Sequence, residues 1–198
     1  MNAINEVGGL RKVFGFNFFG KDAIEVEMLE VMRRRRSVRR YTEEKISDDR
    51  LRQIVSAALL APSGHSKYPC EFIVVKNREL LEKMSHCRKG VAKMLEGAAA
   101  AVVVVADKDK SDTYVEDSCV AMMSMELAAA ALGIGNCWIQ VRGREAEDDS
   151  PGEVYLRGLL NFPENFACQA ILSLGYPAKE PRARELDKLN FDKVSFVD

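Results

Sequence analysis

Apolar residues recur every three or four positions along several stretches of the chain, the spacing that places them on one face of an α-helix. The strongest example begins after Ser47, a good N-cap residue, and carries two aspartates in its first turn, where the positive end of the helix dipole favours them. It is predicted to end near Pro62, because the residue before a proline resists helical dihedral angles. The same criteria predict four further helices, at residues 23–36, 79–96 with a break at Gly90, 115–132 and 153–160.

Short, uninterrupted apolar runs indicate buried β-strands. Four such runs are present, at residues 72–75, 101–106, 137–141 and 168–174. A further apolar segment at residues 194–197 is compatible with a short terminal strand. Strands and helices intermix without the regular period of βαβ units, and neither a repeat nor a linker divides the chain. The pattern predicts one domain of the α+β or α/β class.

The composition of the 198-residue chain is 47% hydrophobic and 30% charged, which excludes a disordered, collagen-like or coiled-coil protein. The longest apolar run has nine residues, well short of the roughly 20 that a membrane-spanning helix needs. The N-terminus shows no signal-peptide pattern. Five scattered cysteines without a CxxC spacing and only two histidines favour a reducing compartment and argue against a metal site. A soluble cytoplasmic protein is expected.

A formal charge of −1 conceals a strong local imbalance. Six arginines fall within the eight residues 33–40, so the rest of the chain carries −7. Guanidinium groups match phosphate oxygens in geometry, and a serine hydroxyl adds a further donor. In an extended segment, Arg35, Ser37 and Arg39 would project to one side and form a phosphate clamp. A solvated basic face and a nucleic-acid-binding stripe are the alternatives that the pattern leaves open.

A second candidate segment, residues 61–69 (APSGHSKYP), lies between a predicted helix and a predicted strand. Its small residues allow a ligand to approach the backbone, as in many cofactor-binding loops, although an ordinary turn has the same composition. The sequence contains no GxGxxG, P-loop or GxSxG motif, and neither histidine has an obvious serine or cysteine partner. A Rossmann site, a P-loop nucleotide site and a hydrolase triad are therefore unsupported.

The order of these segments is more specific than any one of them. The chain presents a helix, RRSVRRY, an acid-capped helix, APSGHSKYP, EFIVV, a long apolar helix leading into LGIGNCWI, and finally LGYPAKEP. In this order the sequence resembles the flavin-dependent nitroreductase family, from about residue 25 to the C-terminus. The resemblance implies an α+β fold with a central, mostly antiparallel sheet flanked by helices, in an intertwined homodimer. It divides the chain into an N-terminal arm, residues 1–22, and a single FMN-binding domain, residues 23–198.

The resemblance also implies which residues bind flavin mononucleotide (FMN) at the subunit interface, each site being built from both chains. The contacts with the FMN phosphate and the flavin pyrimidine are matched by Arg35, Arg36, Ser37 and Arg39. The loop that the other subunit lays against the flavin is matched by Pro62, Ser63, Gly64 and Ser66. The strand whose backbone passes the flavin, with an N–H near N5, is matched by Trp138, Ile139, Gln140 and Val141.

Two further cationic positions enter by looser matches. Lys93 matches a family cation near flavin N1 and the C2 carbonyl. Lys179 matches a further phosphate contact, for which Arg182 and Arg184 are competing candidates.

Two features depart from the family pattern. The family loop commonly reads Pro-Ser-x-x-Asn-x-Gln-Pro-Trp, whereas this chain carries Ser66, Tyr68 and Cys70 in place of Asn, Gln and Trp. A serine hydroxyl cannot reproduce both hydrogen-bonding groups of a carboxamide, so one flavin contact is altered. The arm also contains four phenylalanines, a patch that a monomer would expose. The arm is therefore predicted to pack on the partner subunit, with intramolecular packing as the alternative.

The function that the resemblance implies is that of an FMN-dependent NAD(P)H oxidoreductase. Hydride from NADH or NADPH would pass through flavin N5 to a nitroaromatic, quinone or similar flat acceptor. No catalytic side chain is required, because the flavin carries the chemistry. Arg39, with Lys93, would stabilise negative charge at N1 and the C2 oxygen. The sequence marks neither the physiological acceptor nor a preference for NADH or NADPH.

Two alternatives stay open at this stage. One is another flavin reaction on the same fold, such as reductive dehalogenation or flavin breakdown. The other is a non-enzymatic flavin-holding or basic-patch interaction protein. The expected partners are a second copy of the chain and a small-molecule acceptor, with neither nucleic acid nor a membrane.

Overall fold

The structure is a computed structural model that describes residues 28–197. The helices in this range are α1 (Met28–Arg34), α2 (Asp48–Leu59), α3 (Arg78–Met84), α4 (Tyr114–Ala131) and α5 (Gly152–Leu160). The strands are β1 (Cys70–Val75), β2 (Ala100–Asp107), β3 (Gly135–Gln140) and β4 (Phe166–Gly175). The N-terminal arm, its four phenylalanines and the start of the predicted first helix lie outside the described residues.

The four strands form one antiparallel sheet in the order β1-β2-β4-β3. In the middle of the sheet, Val103 of β2 lies opposite Ile73 of β1 and Ile171 of β4. Ile171 lies opposite Ile139 of β3, the strand at one edge. The α+β class with an antiparallel sheet is therefore confirmed, and the α/β alternative is wrong.

Both faces of the sheet are covered, which explains why β2 is apolar and buried along almost its whole length. On one face, Val103 shares a first core with Leu81 of α3. On the other face, Val104 shares a second core with Ile54 of α2 and Met122 of α4. Alternate residues of β2 thus serve opposite cores, as the two-residue period of a strand requires. The long helix α4 lies against the second face.

The local signals of the sequence are confirmed in α2 and at the end of α4. The Ser47 hydroxyl accepts a hydrogen bond from the Arg50 N–H at 3.3 Å, and α2 ends at Leu59, before Pro62. Gly133, with a φ of 72°, makes the turn from α4 into β3, which begins two residues earlier than predicted. No helix within residues 28–197 is both long enough and apolar enough to cross a bilayer.

Two predicted elements need correction. The helix expected over residues 79–96 stops at Met84, and two short 3₁₀ turns, Ser85–Cys87 and Lys93–Gly97, take up much of the rest around the left-handed Gly90. The terminal strand at residues 194–197 is wrong. Phe196 is 89% exposed and Val197 is 93% exposed, and this segment pairs with no strand of the described chain.

Candidate functional site

The arginine-rich segment leaves helix α1 and runs in an extended form along the outer edge of strand β3. Ser37 forms a parallel bridge with Asn136, and the Val38 N–H donates to the Asn136 carbonyl at 2.8 Å. Val38 is buried against Gly135, where an added Cβ would lie only 3.0 Å from the Val38 side chain. Ser37 and Arg39, on either side of Val38, are exposed, and so are Arg36 and Arg40.

Tyr41 fastens the far end of this segment to the sheet. Its hydroxyl donates to the Val38 carbonyl at 2.7 Å and lies 2.7 Å from the Ser173 hydroxyl. Burial raises the pKa of the Tyr41 phenol well above its ordinary value. Its ring covers Gly175, where a Cβ would overlap it. The phenol is thus a neutral structural group at every physiological pH.

Arg35, at the start of the segment, is turned toward helix α4. Its Nη1 lies 3.5 Å from Oε1 of Glu126, and the two side chains are only 18% and 7% exposed. Burial raises the pKa of the Glu126 carboxyl, and the Arg35 charge opposes part of that rise. The Glu126 carbonyl also accepts a hydrogen bond from Nδ2 of Asn136 at 3.2 Å. Arg35 is therefore an anchored guanidinium, in contrast to the exposed Arg39.

The chain after β4 returns alongside the arginine-rich segment and brings further cations to it. The Ala178 N–H donates to the Arg40 carbonyl at 3.0 Å, which positions the exposed Lys179 beside the segment. Nη1 of Arg36 donates to the Arg182 carbonyl at 3.0 Å. The structure thus brings the candidate phosphate contacts from both ends of the domain together.

The charge of this cluster is largely uncompensated. Within residues 28–197, no carboxylate forms an ion pair with Arg36, Arg39 or Lys179. Arg182, by contrast, pairs with Glu185. Exposed guanidinium and ammonium groups beside a serine hydroxyl form a donor set that suits a phosphate group. The cluster has the chemistry expected for holding an anionic ligand.

The outer edge of β3 offers backbone groups beyond the point where the segment pairs with it. The Asn136 carbonyl faces away from β4, so the backbone groups of Trp138 and Gln140, two and four residues on, face the same way. The side chains of Ile139 and Val141 are buried in the first core. The Val141 N–H is already donated to the Gln169 carbonyl at 3.2 Å. At this edge a ligand would meet the main chain of residues 138–140.

The loop between α2 and β1 is held by a buried aspartate of helix α4. Oδ1 of Asp117 accepts a hydrogen bond from the Gly64 N–H at 2.8 Å, and Oδ2 accepts one from the Ser63 hydroxyl at 3.0 Å. The Ser63 oxygen in turn accepts from the Tyr68 N–H at 2.9 Å. Pro62 and Ser66 are exposed on this loop. The loop is therefore anchored to α4, and its small residues are exposed at the surface.

The remaining predicted residue, Lys93, is exposed at the start of the turn Lys93–Gly97, whose Met94 and Leu95 enter the first core. In the described part of the chain, no hydrogen bond or ion pair links Lys93 to residues 35–39. Its role in ligand binding stays a prediction.

The cysteines near the site have ordinary structural roles. Burial raises the pKa of the Cys137 thiol beside Arg39 and of the Cys70 thiol, which lies 3.4 Å from the Ser118 hydroxyl. Both sulfurs are therefore protonated at neutral pH and do not act as nucleophiles.

Asp117 and Glu126 were not among the candidates from the sequence, which predicted only that their helix is long and apolar. The available signal was three carboxylates, Glu116, Asp117 and Glu126, within an otherwise apolar, Met- and Ala-rich helix, since buried acids are rare unless they are partnered. Nine residues separate Asp117 from Glu126, which corresponds to about 13 Å along α4. The loop and the arginine-rich segment of one chain are thus anchored at different levels of the same helix.

Comparison with known proteins identifies the family. The model of the nitroreductase family matches residues 32–91 and 85–176. An Archaeoglobus fulgidus protein named "Putative NADH dehydrogenase/NAD(P)H nitroreductase" is 40% identical over 173 residues, which cover 85% of this chain and 96% of that protein.

Solved structures have the same fold. An FMN-dependent nitroreductase from Clostridium difficile superposes with a TM-score of 0.83 at 38% identity, over 86% of this chain and 99% of that one. A structure described as "a putative nitroreductase in complex with fmn", from Desulfovibrio desulfuricans, gives a TM-score of 0.67 at 26% identity, over 88% of this chain and 100% of that one. This chain belongs to the nitroreductase family.

Proposed function

We propose that this protein is an FMN-dependent NAD(P)H oxidoreductase that reduces nitroaromatic, quinone or similarly flat acceptors. The observation that carries the proposal is the cluster of cations, Arg36, Arg39 and Lys179, gathered near Ser37 without carboxylate partners in the described residues. The relatives support the cofactor and the electron donor, since one is named an FMN-dependent nitroreductase and another an NADH dehydrogenase/NAD(P)H nitroreductase. When bound, FMN would supply the redox chemistry that connects NAD(P)H with the acceptor.

The arginine-rich segment holds the phosphate in this proposal. Arg36, Arg39 and Lys179 supply exposed cationic donors, and the Ser37 hydroxyl supplies a neutral one. Arg35 remains fixed to Glu126 through one nitrogen, which leaves other guanidinium N–H groups for the ligand. The segment is preorganised by its pairing with Asn136, so little order is lost when a phosphate binds.

In this proposal, the outer edge of β3 would hold the ring of the flavin. The backbone N–H groups of Trp138 and Gln140 face outward there and supply hydrogen bonds without a titrating side chain. Arg39, with Lys93, would stabilise negative charge at the pyrimidine end of a bound flavin. In enzyme sites, removal of one such preorganised donor costs on the order of 10²–10³ in rate.

A second copy of the chain completes each site in this proposal, as an intertwined homodimer. The loop with Pro62, Ser63, Gly64 and Ser66 is anchored about 13 Å along α4 from the level of Arg35. In line with the family resemblance, we assign the loop that covers the ligand to the partner subunit. Apolar side chains around the loop and on α4 support a subunit interface: Leu59, Leu60, Val120 and Met123 are exposed in the single chain.

The test is steady-state turnover of the FMN-reconstituted protein with NADH or NADPH and three acceptors, namely a nitroaromatic, a benzoquinone and a halogenated phenol. The proposal predicts reduction of the first two at rates far above those with free FMN. Bound FMN with loss of halide, or with breakdown of the flavin itself, would support another flavin reaction. Tight, salt-dependent binding of nucleic acid without FMN uptake would support a basic-patch interaction protein.

A further inference from the structure

Asp117 is a buried carboxylate whose hydrogen-bond partners all belong to the loop or to the N-terminus of its own helix. It is 6% exposed and lies in the first turn of α4. Its oxygens accept hydrogen bonds from the Gly64 N–H at 2.8 Å, the Ser63 hydroxyl at 3.0 Å and the Thr113 hydroxyl at 3.3 Å. Within residues 28–197 no basic side chain forms an ion pair with it. Neutral donors alone therefore satisfy its charge.

We propose that Asp117 is a positioning residue for cofactor binding, which holds residues 62–68 in the shape that covers the flavin of the partner subunit. This inference rests on the proposed function, because it requires FMN to bind beside this loop. It assigns to a helix side chain the task of keeping a surface loop rigid.

The loop needs such an anchor because its backbone is intrinsically unfavourable. His65, Ser66 and Tyr68 have φ values of 51°, 54° and 46°, in the left-handed region that non-glycine residues rarely adopt. Such conformations persist only where the surroundings fix them. Hydrogen bonds to an ionised acceptor are about twice as strong as neutral ones, which makes a buried carboxylate an effective fixing group.

Ser63 extends the reach of Asp117 across the loop. Its hydroxyl donates to Asp117, and the same oxygen accepts from the Tyr68 N–H at 2.9 Å, so one carboxylate controls both ends of the turn. Since the hydroxyl proton is committed to Asp117, Ser63 meets a ligand through its backbone or its remaining lone pair. Gly64 lies so close to Thr113 that an added Cβ would overlap Oγ1 of Thr113, which fixes the distance between the loop and α4.

Loss of this anchor is expected to lower the affinity for FMN and for the acceptor more than it lowers the rate of the chemical step. A loosened loop no longer presents Pro62, Gly64 and Ser66 as a fixed surface, so FMN leaves faster and flat acceptors bind more weakly. Once the flavin is held at saturating concentration, the same electron donor and cations act on it, and kcat falls less than kcat/KM for the acceptor. A residue needed only for folding would lower thermal stability without this pattern.

The test compares Asp117→Asn and Asp117→Ala with Glu116→Gln, a control at the adjacent, exposed position. Three quantities are measured on the full-length protein: the FMN dissociation constant by quenching of flavin fluorescence, hydrogen exchange at the Gly64 amide, and the thermal midpoint without FMN. Asp117→Asn is expected to raise the dissociation constant by about tenfold and to speed exchange at Gly64, because a neutral amide with a single accepting oxygen replaces the charged acceptor of both bonds from the loop. Asp117→Ala is expected to do more, and Glu116→Gln to change neither quantity.

The inference is overturned if the Asp117 variants bind FMN within twofold of the wild type, whether or not their thermal midpoints fall. If Asp117→Ala does not fold, Asp117→Asn decides the outcome together with Ser63→Ala, which removes the relay to Tyr68 while leaving the carboxylate in place. Failure of the wild-type protein to bind FMN is a different result, which overturns the proposed function itself and with it this inference.

Discussion

The guanidinium of Arg35 lies 3.5 Å from the carboxylate of Glu126, in the interior between the arginine-rich segment and helix α4. The pair connects the first candidate binding element to the helix that also anchors the loop through Asp117. Its contribution to folding is the balance between the cost of removing two charges from water and their attraction. Burial affects the pKa of Glu126 more strongly than the charge of Arg35 does. We therefore infer that the pair fixes the position of Arg35 more than it stabilises the fold.

We expect the wild-type protein to lose stability relative to Glu126→Gln as the pH rises through the acidic range. Burial raises the pKa of Glu126 above its ordinary value of 4.5, so over an interval of pH the native carboxyl keeps a proton that the unfolded chain has lost. The stability from this proton is complete below pH 4.5 and disappears as the pH rises through the native pKa. Urea denaturation of both proteins at a series of pH values measures the difference. A difference that is constant, or that grows in favour of the wild type, contradicts the prediction.

Arg39→Ala is expected to weaken FMN binding by about 10- to 100-fold, because a hydrogen bond to a charged group contributes roughly 1.5–3 kcal/mol. Arg34→Ala serves as the matched control, since Arg34 is an exposed arginine in the same run of arginines, at the end of α1. Titration of the FMN-free proteins with FMN, at low and high salt, measures the effect. Equal losses in the two variants would mean that only the overall positive charge of the segment matters.

Gly64→Ala is expected to destabilise the protein by about 1–3 kcal/mol, the usual cost of adding a group where no space exists. The new Cβ would overlap Oγ1 of Thr113, so the double variant Gly64→Ala/Thr113→Ala is expected to recover part of the loss. Gly158→Ala is the control, because Gly158 lies in helix α5 with open space around it. There, alanine is expected to stabilise by up to about 1 kcal/mol. Urea denaturation of the four proteins distinguishes these outcomes, and a Gly64→Ala protein as stable as the wild type refutes the packing argument.

Shared sites predict complementation between two defective chains. In a heterodimer of Arg39→Ala with Asp117→Ala, one site receives both defects and the other receives an intact arginine-rich segment and an intact loop. We therefore expect one tightly bound FMN per mixed dimer, purified through two different affinity tags. If segment and loop of one chain serve the same site, every site carries one defect and no tight FMN is found.

An element can be predicted from the sequence when the residues that specify it lie within the element itself. The cap at Ser47 and the apolar run of β2 lie within the elements that they specify, and both were predicted correctly. The extended form of residues 37–39, by contrast, was a condition of the phosphate clamp, and Arg35, which the clamp placed on the same side as Ser37 and Arg39, is turned toward Glu126.

What the sequence did not reveal depends on contacts between distant segments. Asp117 is identifiable as an anchor only once the chain brings it to Ser63, 54 residues away. The apolar residues at 194–197 resemble a strand in composition, but a strand requires a neighbouring edge, and within residues 28–197 no edge is paired with them.

The most direct test of the central claim is an anaerobic titration of the purified protein, supplied with FMN, by NADH and by NADPH. The account predicts one FMN bound per chain, loss of its visible absorbance on addition of at least one of the two nucleotides, and return of the absorbance when a nitroaromatic or a quinone is added. A colourless protein that neither retains nor takes up FMN would contradict it.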